Sequence, residues 1–316
     1  MTDREEYPAT LLEFERRFRT EEACREYLTR LRWPEGFRCP RCKSGHSWLN
    51  ARRGLLECAG CHYQVSPTAG TIFDRTRLPL TLWSRAVWLV TSQKGGVSAL
   101  GLQRQLGMKR YETVWTMLHK LRRAMVRPDR DRLSGRVEVD ETYVGGEEEG
   151  VRGRGTCTKS LVAVAAEEDG NGVGRIRLAA IHDASGPYLL GFVQQSVEPG
   201  SVIHTDGWQG YGGLTANGFR HEVTNISKSG KLSHEVMPRV HLVAALLKRW
   251  LLGTHQGAVR PSHLDYYLDE FTFHFNRRTS RSCGKLFYRL IQHAAQVEPI
   301  YWIDVADGKR EHGHNI

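Results

Sequence analysis

Two pairs of cysteines constrain this chain more tightly than any other feature. Cys39-Pro40-Arg41-Cys42 and Cys58-Ala59-Gly60-Cys61 are separated by fifteen residues. Each close pair turns its two thiolates to one side. A hairpin that brings two such pairs together makes a closed tetrahedral site, the arrangement of a structural zinc ribbon. Leu55, Leu56, Tyr63 and Val65 can supply its strands. His46 and His62 are spare donors, but four cysteines already complete the coordination. A module of about thirty residues with little core depends on its metal to fold. Both DNA and protein remain open as its contact. Cys24, Cys157 and Cys283 are widely scattered. That is not a disulfide framework, and it implies a reduced, intracellular setting.

The 316 residues carry a net charge of +10. No apolar run approaches the eighteen residues of a membrane span, and Met1–Glu15 is charged throughout, unlike a signal peptide. A cytoplasmic, nucleoid-associated protein with no membrane partner is expected. The basic residues fall in runs. Arg38 to Arg53 holds five and no acid, Lys109 to Arg127 holds six against Glu112, and Arg277 to Arg289 holds five and no acid. One such run is ordinarily solvated surface. Three in one basic chain point to a polyanionic partner, nucleic acid.

Residues 1–36 read as a short helical segment, in which Thr20 caps a helix bearing Ala23, Tyr27, Leu28 and Leu31 on one face. The ribbon occupies 37–79. Residues 80–130 read as helical. Leu82, Ala86, Leu89 and Val90 line a first helix. Ser98 caps a second that stops at Gly107. Lys109 to Arg127 forms a third, with Val114, Leu118, Leu121 and Met125 inward. A helix, a glycine-bearing turn and a basic helix make a helix-turn-helix-like arrangement, with an ordinary helical connector as the alternative. Trp115 belongs to the core. Pro128 and the charged run 129–132 mark a boundary.

From Gly135 the period changes to that of strands. Val137 and Val139 alternate with Glu138 and Asp140; 161–166 and 176–180 are two further strands; 145–158 is a Gly-rich loop. A helix over 188–195 crosses to a strand that ends at Asp206. Then come a short helix near 208–214, a strand near 220–226 and a helix from Pro238 to Leu252. The class is α/β (α+β), a mixed sheet with flanking helices over 135–295. A right-handed crossover can set the fourth strand parallel to and beside the first. Asp140 and Asp206 then become neighbours, and two neighbouring carboxylates call for a hard cation between them. His241 and Lys248 are seven residues apart on one helix face. Taken singly, an Asp at a strand end, a His and a Lys are ordinary residues; their order and spacing carry the weight. Glu138, Glu141, Glu235 and Glu270 are rival carboxylates, of which Glu138 shares a face with Asp140 and Glu141 points the other way. Leu264, Tyr267, Leu268 and Phe271 form a helix face that packs on this core, and 296–316 is a loose tail.

CPRC with CAGC, then VDETYVGG, HTDGWQGY, PRVHLVAALLKRWLLGTHQG and HLDYYLDEFTFHFNRR, resemble the bacterial insertion-sequence transposases with an N-terminal zinc ribbon and a ribonuclease H-like DDE domain. The likeness covers residues 20–295. It implies cut-and-join chemistry on element ends with two catalytic Mg²⁺ or Mn²⁺ ions besides the structural Zn²⁺. Asp140 and Asp206 match the first two acidic positions. His241 stands where many relatives have Glu, which makes this a DDH variant, and Lys248 matches the lysine seven residues on. The resemblance implies double-stranded DNA, both element ends and target, as partner and a homo-oligomer on it. Lys109, Arg110, Lys120, Arg122, Arg123, Lys248, Arg249, Arg277 and Arg278 are the expected DNA-binding residues. The acid limb of activity is expected near pH 6 if His241 is a ligand. A DNA-binding regulator with an inactive core, and a nuclease that cuts without joining, are the competing readings.

Overall fold

The computed structural model describes residues 6–50, 52–127, 130–145, 159–225, 230, 232–257 and 259–309. Cys157 and most of the Gly-rich loop, from 146 to 158, lie outside them, as do Pro128 and Asp129 of the boundary and 310–316 of the tail. The chain divides into two compact units. One comprises residues up to Arg127 together with those from Thr279 onward; the other runs from there to Arg278.

In the first unit, helices α1 (Leu11–Arg17) and α2 (Glu21–Arg32) begin at threonine caps. Thr10 Oγ1 accepts from Glu13 N, and Thr20 Oγ1 accepts from Ala23 N, each at 3.2 Å. The ribbon follows as an antiparallel sheet of β1 (Ser47–Asn50), β2 (Leu55–Cys58) and β3 (Gln64–Val65). Its two knuckles close alike. Lys43 N returns to Cys39 O at 2.9 Å, and His62 N to Cys58 O at 3.0 Å, with Lys43 and His62 both in the left-handed region. The Cys39 and Cys61 sulfurs lie 3.7 Å apart, and those of Cys42 and Cys58 lie 3.5 Å apart. All four lie within 4.8 Å of one another. A zinc tetrahedron with Zn–S of ~2.3 Å has sulfur–sulfur edges of ~3.8 Å, so the thiols fit that ion. His62 pairs with Glu57, 3.4 Å away, and is not part of the cluster.

Helices α3 (Leu80–Ser92), α4 (Ala99–Leu106) and α5 (Tyr111–Ala124) come next. Ser98 caps α4, its Oγ accepting from Gly101 N at 3.1 Å. Gly107 ends it in the left-handed conformation at φ 64°. The turn to α5 is short, as a helix-turn-helix requires.

Helix α10 (Cys283–Ala294) also belongs to this unit, whereas the sequence places it at the end of the sheet domain, within 135–295. The reason is aromatic packing. Phe287 lies at ring-centroid distances of 5.5 Å from Phe14, 5.0 Å from Phe18 and 5.9 Å from Trp88. Its neighbour Gly284 runs so close to the Pro8 carbonyl that any Cβ there would collide with it. In the tail, 302–306 is a short helix, α11 (Trp302–Ala306), whose preceding residue Tyr301 donates to Asp74 at 2.8 Å.

The second unit is built on a five-stranded sheet. Strands β4 (Arg136–Val144), β5 (Ser160–Asp169) and β6 (Gly172–Ile181) are antiparallel; β7 (Val202–Thr205) and β8 (Arg220–Val223) run parallel to β4. The order is β6-β5-β4-β7-β8, so the strand that ends at Asp206 does lie beside the first, as a right-handed crossover through α6 (Gly186–Ser196) predicts. Alternation along the strands divides two cores. Val137, Val139, Ala163, Ala165 and Ile203 face α6 and Tyr211. Val162, Val164, Ala166, Ile176 and Leu178 face α8 (Pro238–His255) and α9 (Leu264–Phe275). This is the mixed α/β sheet expected of a ribonuclease H-like domain.

β6 is an edge strand, and α9 occupies its open hydrogen-bonding side. Asp265 Oδ1 accepts from Ala180 N at 3.0 Å. Asn276 accepts from Ile176 N at 2.7 Å and donates to Ile176 O at 3.1 Å. Side chains that satisfy an edge in this way withhold it from other strands.

The ribbon yields a first prediction. Purified protein will carry one tightly bound zinc ion per chain by elemental analysis, and Cys58→Ser will lose it. Limited proteolysis will then cut within 37–66, while fragments of the five-stranded unit remain protected, because the ribbon has too little core to fold without its metal.

Candidate active site

The site begins at a buried acid. Glu138 on β4 is only 1% exposed, and its carboxylate is fully engaged at the start of α8. It accepts from Arg239 N at 2.8 Å, from Val240 N at 3.0 Å and from the Arg239 guanidinium at 2.8 Å. The first amides of a helix have no partners within the helix and carry its positive dipole end, so a carboxylate there is doubly favoured. Arg239 also reaches the Gly170 and Gly172 carbonyls, each at 2.9 Å. Helix α8 is thereby fastened to the sheet immediately before His241.

Two residues beyond Glu138, on the same face, is Asp140. Glu138 pairs with His204 on β7, and Asp206 is likewise two residues beyond His204. Pairing between β4 and β7 stops at that level, while β4 continues against β5 to Val144. The two aspartates therefore stand where parallel strands part, at their carboxyl ends, the position at which open α/β sheets bind ligands. Asp206 Oδ1 accepts from Trp208 N at 2.9 Å, which fixes the turn. Gly207 makes that turn at φ 86°; a Cβ there would sit 2.6 Å from Val223 Cγ1.

His241 faces the aspartates from α8. Its Nε2 is 3.8 Å from Asp140 Oδ2, too far for a hydrogen bond, and is a buried atom with no hydrogen-bond partner among the described residues. Burial lowers the imidazole pKa below 6.5, with Glu138 and Asp206 opposing the shift and His234 and Lys248 adding to it. The neutral form therefore prevails at neutral pH, and the Asp140 contact is not an ion pair there. Lys248, two turns along α8, is exposed as a residue, yet partial desolvation and Lys159 push it below the usual lysine range, against the pull of Asp140. The structure thus brings Asp140, Asp206, His241 and Lys248 to one locus. The carboxylates and imidazole are less tightly drawn together than the four thiols, which form the only compact metal-ligating group among the described residues. Two carboxylates with an unbonded ring nitrogen suit a divalent cation.

The rival carboxylates have other roles. Glu141 points to the opposite face and accepts from the Tyr211 hydroxyl at 3.0 Å. Tyr211 is fully buried, and its pKa is raised well above 10 by burial and then by Glu141, Asp140 and Asp206. Glu235 caps its own short helix, α7 (Ser233–Val236), accepting from Leu232 N at 2.9 Å. Glu270 is buried on α9. Lys159 was not singled out from the sequence, nor was Tyr211 or Arg239. A lysine just before a strand carries no local mark of a site.

The expected DNA-binding residues fare unequally. Lys109 and Arg110 are exposed at the start of α5, and Lys248 and Arg249 are exposed on α8. Arg122 is 2% exposed, a correction to its expected phosphate contact: its side of α5 is the packed side. Lys120 also turns inward, donating to Ile72 O at 3.3 Å, and burial lowers its pKa. Arg123 is half-buried. Arg277 lies over the Phe273 ring at 4.1 Å; Arg278 lies over Phe275 at 4.2 Å and donates to the Val173 and Gly174 carbonyls.

Because a buried ion pair that loses one partner costs several kcal/mol, Glu138→Ala will destabilise the sheet unit by about 3 kcal/mol in urea unfolding. A Glu138→Gln variant will lose less, since its amide oxygen can still accept from the helix amides.

Residues 132–276 match the ISXO2-like transposase domain family, and residues 19–64 match the transposase zinc-ribbon domain. These segments hold the five-stranded sheet and the four-thiol cluster, and together they cover more than half of the chain. Over 298 residues the chain is 25% identical to an uncharacterized protein in the transposable element ISH50 of Halobacterium salinarum, spanning 88% of this chain and 98% of that protein. The chain belongs to the insertion-sequence transposases in which a zinc ribbon precedes an ISXO2-like transposase domain.

Proposed function

We propose that this transposase binds the ends of its own element, cleaves them to free 3′-hydroxyls and joins those ends to target DNA by metal-dependent phosphoryl transfer. One observation carries the reading: Asp140 on β4 and Asp206 just past the end of β7 lie where these adjacent parallel strands part, and Nε2 of His241, without a hydrogen-bond partner among the described residues, faces them from a helix that Glu138 holds in place. Asp140 and Asp206 would hold two divalent cations, Mg²⁺ or Mn²⁺, with His241 as a further donor. When bound, such ions lower the pKa of a water or hydroxyl nucleophile and offset charge on the phosphate. His241 serves as a donor only while neutral. Lys248 lies on the same helix face and supplies positive charge to a phosphate beside Asp140. Lys109 and Arg110, exposed at the start of α5, provide further phosphate contacts, and the basic run of the ribbon adds to them. Two ends must be joined, so the active form on double-stranded DNA is a homo-oligomer acting inside the cell.

A second reading is a catalytically inactive DNA-binding regulator. It draws on the imidazole at the third position and on the looser grouping of these three side chains relative to the thiols. The test is cleavage and joining of DNA bearing the element's terminal repeats, with Mg²⁺ or Mn²⁺. Asp140→Ala and Asp206→Ala will each abolish both steps, and His241→Ala will reduce them at least a hundredfold. Wild-type protein that binds ends but leaves them intact in either metal would establish the regulator instead.

The pH profile gives a separate check. The folded pKa of His241 lies below 6.5, so its neutral form is lost only as pH falls through that lowered value. The acid limb of cleavage will lie below pH 6.5, and in His241→Glu it will move further down, toward the carboxylate range. A limb at or above pH 7 would remove His241 from the ligand set.

A further inference from the structure

A cavity of about 550 Å³ opens beside the turn that follows Asp206. Its walls are the segment before α6, with Asp183 and Ser185, and the turn with Trp208, Gln209 and Gly213. The metal site uses none of these side chains. Trp208 is half-buried, and its Nε1 donates to Ala184 O at 2.8 Å, which holds the indole to the opposite wall. Its backbone N–H is the group that holds Asp206 Oδ1. The cavity and the proposed reaction centre therefore share one turn.

The lining decides what part of a DNA chain can enter. Among the described residues it contains no lysine or arginine, and it presents the carboxylate of Asp183, 49% exposed. That carboxylate also accepts from Ser185 N at 2.8 Å, meeting the backbone just ahead of α6. His182 Nδ1 already lies 3.1 Å from Asp183 Oδ2, and among the described lining residues no lysine or arginine offsets the like charge that a phosphate would meet there. A nucleobase is neutral and planar. It can stack on an aromatic face, and its N–H edge can donate to a carboxylate or to the Gln209 amide oxygen.

We propose that this cavity takes one nucleobase, unstacked from the duplex next to the phosphate held at Asp140 and Asp206, with Trp208 as its stacking platform and Asp183 and Gln209 reading its polar edge. The proposal rests on the reading of the site as one that acts on DNA. Withdrawing a base bends the strand at the adjacent phosphate and brings that phosphate into reach of side chains at a strand end. The paired duplex resists this, because unstacking and unpairing cost several kcal/mol, least at a mismatch.

The test uses binding in metal-free buffer, so that it does not depend on cleavage. Duplexes of the DNA flanking this reading frame are prepared with a single mismatch at each position across the element boundary. The wild-type protein will bind one of them about tenfold more tightly than the paired duplex, because the cost of extruding that base has been removed. Trp208→Ala will lose that preference and keep its affinity for paired DNA. Should Trp208→Ala fail to fold, Gly213→Val provides a second probe. A Cβ at Gly213 meets Leu190 Cδ2 at 3.6 Å and Asn217 Nδ2 at 3.9 Å, both ordinary contacts, so the first carbon of a side chain displaces nothing at this lining position. It too will abolish the preference. No position-specific gain in the wild type, or a gain unchanged in both variants, overturns the pocket. Failure of the catalytic reading shows itself separately, as absent cleavage of the same duplexes once Mg²⁺ or Mn²⁺ is added.

Discussion

The contact between Glu138 and the start of α8 is the one on which the rest of the site depends. A carboxylate with 1% exposure is tolerable only when it is hydrogen-bonded and its charge is paired. Here two helix amides and a guanidinium do both. The same contact sets two rulers from one origin. Asp140 is two residues along the strand from it, and His241 is the next residue along the helix. Their separation is thus determined by strand rise and helix pitch, with no flexible segment between. Asp206 is added by the parallel register of β4 and β7.

Side-chain alternation then divides the labour on β4. Val137 and Val139 enter the α6-side core; Glu138 and Asp140 face α8; Glu141 returns to the α6 side and meets Tyr211. Acids of both parities are thus used, one to anchor a helix, one at the proposed reaction centre and one to tie down the turn after Asp206. The site stays open because β7 stops at Thr205 while β4 goes on. That turn holds Asp206 through the Trp208 amide and forms a wall of the neighbouring cavity.

Much of this was legible in the residues. Periodicity located the strands and the crossover helix. The cysteine spacing located the ribbon, whose sulfurs stand at distances a tetrahedral ion requires. Thr20 and Ser98 were readable as caps because a cap is a local event. The charge runs were less informative. Arg122 belongs to a basic run, yet it is buried on the packed side of α5, and Lys120 bonds to the Ile72 carbonyl. A run of lysine and arginine shows that positive charge is present. It does not show which way each side chain turns. Helix α10 was assigned to the sheet domain by its place in the chain, but Phe287 lies among Phe14, Phe18 and Trp88, more than 190 residues earlier.

The sequence by itself determined the ribbon and the order of the elements, because each follows from local spacing, and it offered Asp140, Asp206, His241 and Lys248 as candidates. Only the tertiary structure decided that Glu138 anchors a helix while Glu141 meets a tyrosine. It alone showed that Nε2 of His241 faces Asp140 without a hydrogen-bond partner among the described residues, and that Lys159 stands beside Lys248. The physical reason is separation along the chain. Glu138 and Val240 are 102 residues apart, and nothing in either neighbourhood records the other until the sheet and helix have packed.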